Sequence, residues 1–217
     1  MLDLPLTAPE PDRDCPLCPR LVDFRLEQRR KEPTWHNAPV PTFGNNDARL
    51  LVVGLAPGLR GANRTGRPFT GDYAGELLYA TLLKFGFATG VFQARPDDGL
   101  TLVDAAITNA VRCVPPENKP APEEARTCRR FLVATIEAMP RLSAILTLGA
   151  IAHDNTLAAL NVPRAEFKFA HGAEHRIGPL VTVFDSFHCS RLNTNTGRLT
   201  TAMFEAVVGN IRRHLDG

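Results

Sequence analysis

The sequence predicts an α/β fold, a three-layer α/β/α sandwich around a short, mostly parallel central sheet. Short apolar runs rich in β-branched residues recur along the chain, each ending in glycine or polar loop residues. Stretches with helical spacing separate them. Parallel neighbours need crossovers of that length, so helices must cover both faces of the sheet.

The elements follow in order. Residues 1–14 are Pro-rich and acidic and read as a loose arm, and after Cys15 and Cys18 the segment RLVDFRLEQRRK has helical spacing. EPTWHNAPVPTFGNND is too rich in Pro and Gly for regular structure. Then come strand RLLVVGLA, a loop, helix AGELLYATLLKFGF, strand LVDAAITNAVRC, the loop VPPENK and helix PEEARTCRRFLVATIEAMP. Strand SAILTLG, helix AIAHDNTLAAL, strand LVTVFDS, a polar loop and helix RLTTAMFEAVVGNIRRHL complete the series. In such a sheet ligands bind beyond the carboxyl ends of the strands, where the strand order reverses. Pro57–Asp72, Asn109–Pro116, Gly149 and Ser186–Thr196 all fall at that edge.

A chain of 217 residues, 44% hydrophobic, has material for one substantial core, so 1–217 is expected to be a single domain. The net charge of +2 does not announce a nucleic-acid partner, but the arginines are unevenly placed. Arg60, Arg64 and Arg67 surround the first loop and Arg191 and Arg198 flank the last, two clusters suited to anions. Arg25, Arg29, Arg30 and Lys31 are equally consistent with a solvated face. No export signal or membrane span is apparent, so a soluble, cytoplasmic protein with reduced thiols is expected.

Four of the five cysteines form two pairs: Cys15 with Cys18 in CPLC, and Cys113 at a strand end with Cys128 in the following helix. If the arm folds back, four thiolates meet, a donor set for zinc or for an iron-sulfur cluster; the wide second spacing leans toward the cluster. Cys189 reads as a small packed residue, with a nucleophilic role open only because His188 is adjacent.

GLAPGLRGANRTGRPFTGD, ITNAVRCVPP and FHCSRLNTNTGRLT, with the approach segment WHNAPVPTFG, resemble the motifs of the family 5 (type b) uracil-DNA glycosylases. The resemblance runs from about Cys15 to the last helix; Gly58 and Ala62 depart from it by standing where Ala and Gly are expected. It implies a monofunctional glycosylase that removes uracil and other deaminated bases such as hypoxanthine from DNA. It also implies a [4Fe-4S] cluster on Cys15, Cys18, Cys113 and Cys128.

Chemistry assigns the remaining roles. A glycosylase must turn the nucleotide out of the duplex and hold the base. Phe69 offers a stacking ring or else packs in the core, Asn109 offers a donor and an acceptor for the base edge or else caps its loop, and Gly54 lets the backbone approach. His188 can hold the oxyanion that develops on the departing base. Asp72 can orient water and stabilise the cationic sugar, or simply cap the next helix. Arg64, Arg67, Ser190, Arg191, Asn193 and Thr196 can hold backbone phosphates. The expected partner is lesion-bearing DNA, the expected state a monomer. The competing reading is a catalytically silent, metal-stapled module that binds damaged or single-stranded DNA and needs neither Asp72 nor His188.

Overall fold

Apolar side chains that alternate between the two faces of each strand set the layers. In a computed structural model, which describes residues 10–217, the chain opens with α1 (Pro19–Lys31), β1 (Phe43–Gly44), β2 (Leu50–Gly54), the single turn α2 (Ala62–Thr65) and α3 (Tyr73–Lys84). A small ribbon, β3 (Ala88–Thr89) with β4 (Thr101–Leu102), precedes β5 (Ala105–Asn109), α4 (Pro122–Glu137), β6 (Ala144–Leu148) and α5 (Ala150–Ala159). The edge strand β7 (Glu174–Ile177), β8 (Val181–Ser186), the short α6 (Arg191–Asn195) and α7 (Thr201–Asp216) finish the fold.

The main sheet has the order β1-β5-β2-β6-β8-β7, with β5, β2, β6 and β8 parallel and the two outer strands antiparallel. Leu50, Val52, Ile107, Leu146 and Phe184 pack with Leu78 and Leu82 of α3 and Phe204 and Val208 of α7. Leu51, Val53, Ala106, Ile145 and Val183 face the other way, against Leu132 of α4 and Ala152 of α5. The expected sandwich is therefore the observed one. Because β5 and β6 flank β2 on opposite sides, the order reverses at β2, and its carboxyl end opens a crevice.

Three local differences have physical causes. The second predicted strand is broken at Asp104, whose φ of 53° departs from extended backbone and whose carboxylate accepts from Arg49 N at 2.9 Å and Nε at 2.7 Å. The last helix starts at Thr201 rather than Arg198, because Thr200 Oγ1 accepts the Met203 amide as a cap. The edge strands β1 and β7 carry too few apolar residues to announce themselves.

Of the predicted loose arm, residues 1–9 lie outside the described part. Residues 10–14 are pinned: Glu10 accepts from Arg112 Nη1 at 2.6 Å, and Asp14 and the Arg13 carbonyl accept from Arg29. No helix among the described residues is long and apolar enough to cross a membrane.

Candidate active site

At the crevice beyond β2 the chain encloses a cavity of about 640 Å3. Phe69, Asp72, Asn109, His188, Ser190 and Arg191 all line it. Register explains part of this convergence: Gly54 and Asn109 are partners at the ends of β2 and β5, so the Asn109 side chain emerges at the cavity floor. Gly54 must lack a side chain, since a Cβ there would lie 2.4 Å from Asn109 Oδ1 and 2.6 Å from Phe69 Cζ.

Phe69 has a φ of 52°, a conformation that costs a bulky residue about 1–3 kcal/mol. The surroundings hold it there. Gly75 of α3 makes room for the turn, for a Cβ on it would come within 1.9 Å of the Phe69 carbonyl oxygen. Tyr79 Oη donates to the Pro68 carbonyl at 2.7 Å, and Thr65 Oγ1 donates to that of Thr70 at 2.9 Å. Arg67 belongs to this support, which corrects its expected place on a phosphate. It is 4% exposed, gives two hydrogen bonds to Asp98 at 2.8 and 2.7 Å, and lies over the rings of Phe43, Tyr79 and Phe92. That guanidinium holds the Asp98 carboxyl well below the usual carboxylate range.

Asp72 stands at the N-cap position of α3 but makes no side-chain capping bond, and its buried Oδ1 has no hydrogen-bond partner. Burial pushes its carboxyl above the ordinary range, opposed by the nearby amides of Gly75 and Ala74. His188 enters just after β8 and its ring centroid lies 5.9 Å from that of Phe69. Burial lowers its pKa, which favours the neutral imidazole. Asn193 Nδ2 donates to the His188 carbonyl at 2.9 Å, which ties the loop that carries His188 to α6. Cys189 is fully buried in the core and burial raises its thiol pKa, which fits the packed reading.

The cavity mouth carries the exposed Arg60 and Arg191, with Arg191 5.2 Å from the Tyr73 ring centroid. Ser190 accepts the Asn193 amide at 3.4 Å, and Thr196 Oγ1 donates to the Leu192 carbonyl at 2.7 Å, so neither hydroxyl is idle. Arg64 is exposed but outside this cavity, on the far side of α2. Sequence reasoning missed Tyr73 and Leu192. Tyr73 lines the mouth; Leu192 projects beside Arg191, 73% exposed. The available signal was a leucine stranded in the polar run SRLNTN.

A family model described as the uracil DNA glycosylase superfamily matches residues 41–212. The chain belongs to that superfamily. It is 43% identical to a type-5 uracil-DNA glycosylase of Thermus thermophilus, over 92% of this chain and 93% of that protein. It is 39% identical to one of Pyrobaculum aerophilum, over 90% of this chain and 86% of that protein. A type-4 uracil-DNA glycosylase of Archaeoglobus fulgidus is 39% identical over a shorter stretch, 52% of this chain and 49% of that protein.

A second constellation in this superfamily member lies apart from the cleft. Cys15, Cys18, Cys113 and Cys128 line one small cavity between α1, the loop after β5 and α4. Arg25, whose basic run is equally consistent with a solvated face, is 2% exposed; its Nη1 donates to Cys113 Sγ at 3.7 Å and its Nη2 to the Cys15 carbonyl at 3.1 Å. The Arg112 amide donates to Cys128 Sγ at 3.3 Å. Burial pushes the Cys18 thiol up to about 11 and that of Cys113 to about 12. Thiols so placed ionise only against a bound cation, and the adjacent guanidinium offsets the remaining negative charge, so the donor set fits a thiolate-held metal group. A different group, His153, His175 and Asp185, also brings its ligand atoms within 4.8 Å of one another. Its contacts of 2.7 and 2.9 Å are hydrogen-bond lengths, those of a carboxylate held by two imidazoles.

Proposed function

We propose that this chain is a monomeric, single-domain DNA glycosylase that hydrolyses the N-glycosidic bond of uracil. The observation that carries the reading is Asp72: a half-buried carboxylate with an unpartnered oxygen, in a cavity that also holds Phe69, Asn109 and His188. The flipped base stacks on Phe69 while the Asn109 amide meets its polar edge. As the bond between the base nitrogen and C1′ breaks, its electrons go to the base. The neutral His188 imidazole donates a hydrogen bond to the oxygen where that charge gathers. Asp72 stabilises the cationic sugar and takes a proton from the attacking water, whose oxygen bonds to C1′. The products are an abasic site and the free base, which recovers a proton. A carboxylate raised by burial is a stronger base for this step.

The cavity of about 640 Å3 supports a wider range that includes deaminated purines such as hypoxanthine. Leu192 is the group suited to fill the gap left in the duplex, being exposed, apolar and beside the cavity mouth. Arg60 and Arg191 meet the flanking phosphates. Cys15, Cys18, Cys113 and Cys128 would hold a [4Fe-4S] cluster, which would supply structural cross-linking in a reaction that transfers no electrons. A cluster held by cysteine thiolates suits work in the reducing cytoplasm.

Oligonucleotides carrying one uracil, hypoxanthine or xanthine, in duplex and single strand, test the function when incubated with the wild type and with Asp72→Ala. Alkali-labile breaks at the lesion that collapse in the variant are expected. DNA binding without base release would move the assignment to the silent binding module. For the metal group, Cys15→Ala should lose visible absorbance and thermal stability together.

A further inference from the structure

On the far side of α2 from the cleft lies a second concavity of about 530 Å3. That volume falls within the ~300–1,000 Å3 typical of small-ligand sites. Segments distant in sequence build it: Arg13 from the arm, Trp35 and His36 from the approach segment, Arg64 from α2, and Arg95 from a turn before β4. The single turn of α2 is the wall between the two hollows, with Gly61 and Ala62 lining the cleft and Arg64 and Thr65 the second concavity.

The charge here is of one sign. Among the described residues neither Arg13 nor Arg64 forms an ion pair; the Arg64 guanidinium reaches only the Gly71 carbonyl, at 3.5 Å. Arg95 has Asp97 at 3.7 Å, an exposed partner on a rim. Asp14, next to Arg13, is committed to Arg29, and Arg29 also grips the Arg13 carbonyl at 3.0 Å, so the backbone is pinned while the guanidinium stays open. His36 Nε2 donates to the Pro39 carbonyl at 3.1 Å, which leaves Nδ1 as an acceptor. Trp35, half-buried, lines the same hollow.

Guanidinium groups around an aromatic ring are the chemistry that takes an unpaired nucleotide: the cations hold phosphate and the ring stacks on a base face, worth about 1–3 kcal/mol per base. A paired base has both faces covered by its neighbours. We propose that this concavity binds an unpaired nucleotide of the damaged strand, adjacent to the nucleotide held in the cleft. The inference rests on the glycosylase reading for the identity of the strand. It gives the protein a foothold on DNA that is gapped, frayed or single-stranded near the lesion. It also gives the pinned arm a task, because Arg13 reaches the strand from two residues before Cys15.

The chain has one tryptophan, so its fluorescence reports on this hollow alone. A lesion-free single-stranded oligonucleotide should quench Trp35 emission at saturation, and a blunt duplex of equal length should not. The double variant Arg64→Gln, Arg95→Gln should bind the single strand about tenfold more weakly. Its slope of log affinity against log salt should be shallower by about 0.7 for each phosphate that the variant no longer neutralises. Single strands that bind by anisotropy yet leave Trp35 emission unchanged, with the double variant as tight as wild type, would overturn the inference and leave the glycosylase reading standing. Quenching by single strands with no base release from any lesion would overturn the glycosylase reading and keep the nucleotide site.

Discussion

Asp72 and Asp185 stand close to the same sheet edge and are treated in opposite ways. Asp185, at the end of β8, has no exposed surface and receives three side-chain donors: Thr147 Oγ1 at 2.7 Å, His153 Nδ1 at 2.7 Å and His175 Nε2 at 2.9 Å. Asp72 lies against the cavity with Oδ1 unpartnered. A buried carboxylate with its donors supplied makes the fold specific; one left short of donors costs stability and keeps its basicity for something that arrives later. The comparison separates a carboxylate committed to the scaffold from one left open to the cavity, the one to which the proposed reaction assigns the chemistry.

The largest expected effect breaks the comparison at Asp72. Asp72→Asn should lower kcat/KM on a uracil oligonucleotide by about 10²–10⁴-fold. The same variant should melt at a higher temperature than wild type at pH 7. The folded-state pKa of Asp72 is raised, so its ionisation above the unfolded value near 3.9 works against the fold, and stability is lost as pH rises through the folded value. Below about pH 4 the gain should vanish. A variant that keeps full activity would end the assignment.

Breaking the other aspartate should do the reverse. Asp185→Asn replaces a charged acceptor facing three donors, and the loss belongs with the ~3–5 kcal/mol seen when one partner of a buried charged network is removed. Urea titration reads it directly. Whatever fraction stays folded should still release uracil, and a stability within about 1 kcal/mol of wild type would show that the donors serve no structural purpose.

Phe69 sharpens the contrast from the base side. Phe69→Leu keeps an apolar group but removes the stacking face, so about 1–3 kcal/mol of base binding should go, roughly a 5- to 150-fold fall in kcat/KM. Phe69 also packs in the core, 7% exposed beside Leu78 and Tyr79, so the variant should lose some melting temperature as well, although the Arg67–Asp98 pair and Tyr79 still support the loop. A loss of stability with unchanged kcat/KM on the folded protein would show that Phe69 serves the core alone and that the base does not stack on it.

The sheet and most of its helices were legible because β2, β5, β6 and β8 are buried on both faces and read as apolar runs between helical spacings. That Asp72, Asn109 and His188 line one cavity was legible because all three fall at the carboxyl edge of the sheet, where ligands of such folds collect. Arg67 was misread, since a guanidinium in a glycine-rich loop looks solvated until Asp98, thirty-one residues on, is seen to bind it. Arg25 stays undecided from sequence for the same reason, its thiol partner lying 88 residues away. The Asp185 network was invisible because it joins β6, α5, β7 and β8, and β7 has only the alternating exposure of an edge strand. Local pattern records burial; partnership between distant polar groups leaves no periodic trace.

The smallest expected effect concerns a proton in that network. Both nitrogens of His153 face acceptors, Asp185 Oδ1 at 2.7 Å and the Phe167 carbonyl at 2.9 Å, so satisfying both requires a doubly protonated ring. Burial works against that charge, but the hydrogen bonds to Asp185 and Phe167 and the Asp185 charge outweigh it, and the pKa is raised. A raised folded-state value contributes stability that is complete below the unfolded pKa of about 6.5 and is lost as pH climbs through the folded value. The wild-type melting temperature should therefore decline between pH 6 and pH 8, and Asp185→Asn, which removes the charge that holds the proton, should decline less. Equal slopes in the two proteins would mean that His153 is neutral and that one of its two contacts is not a hydrogen bond.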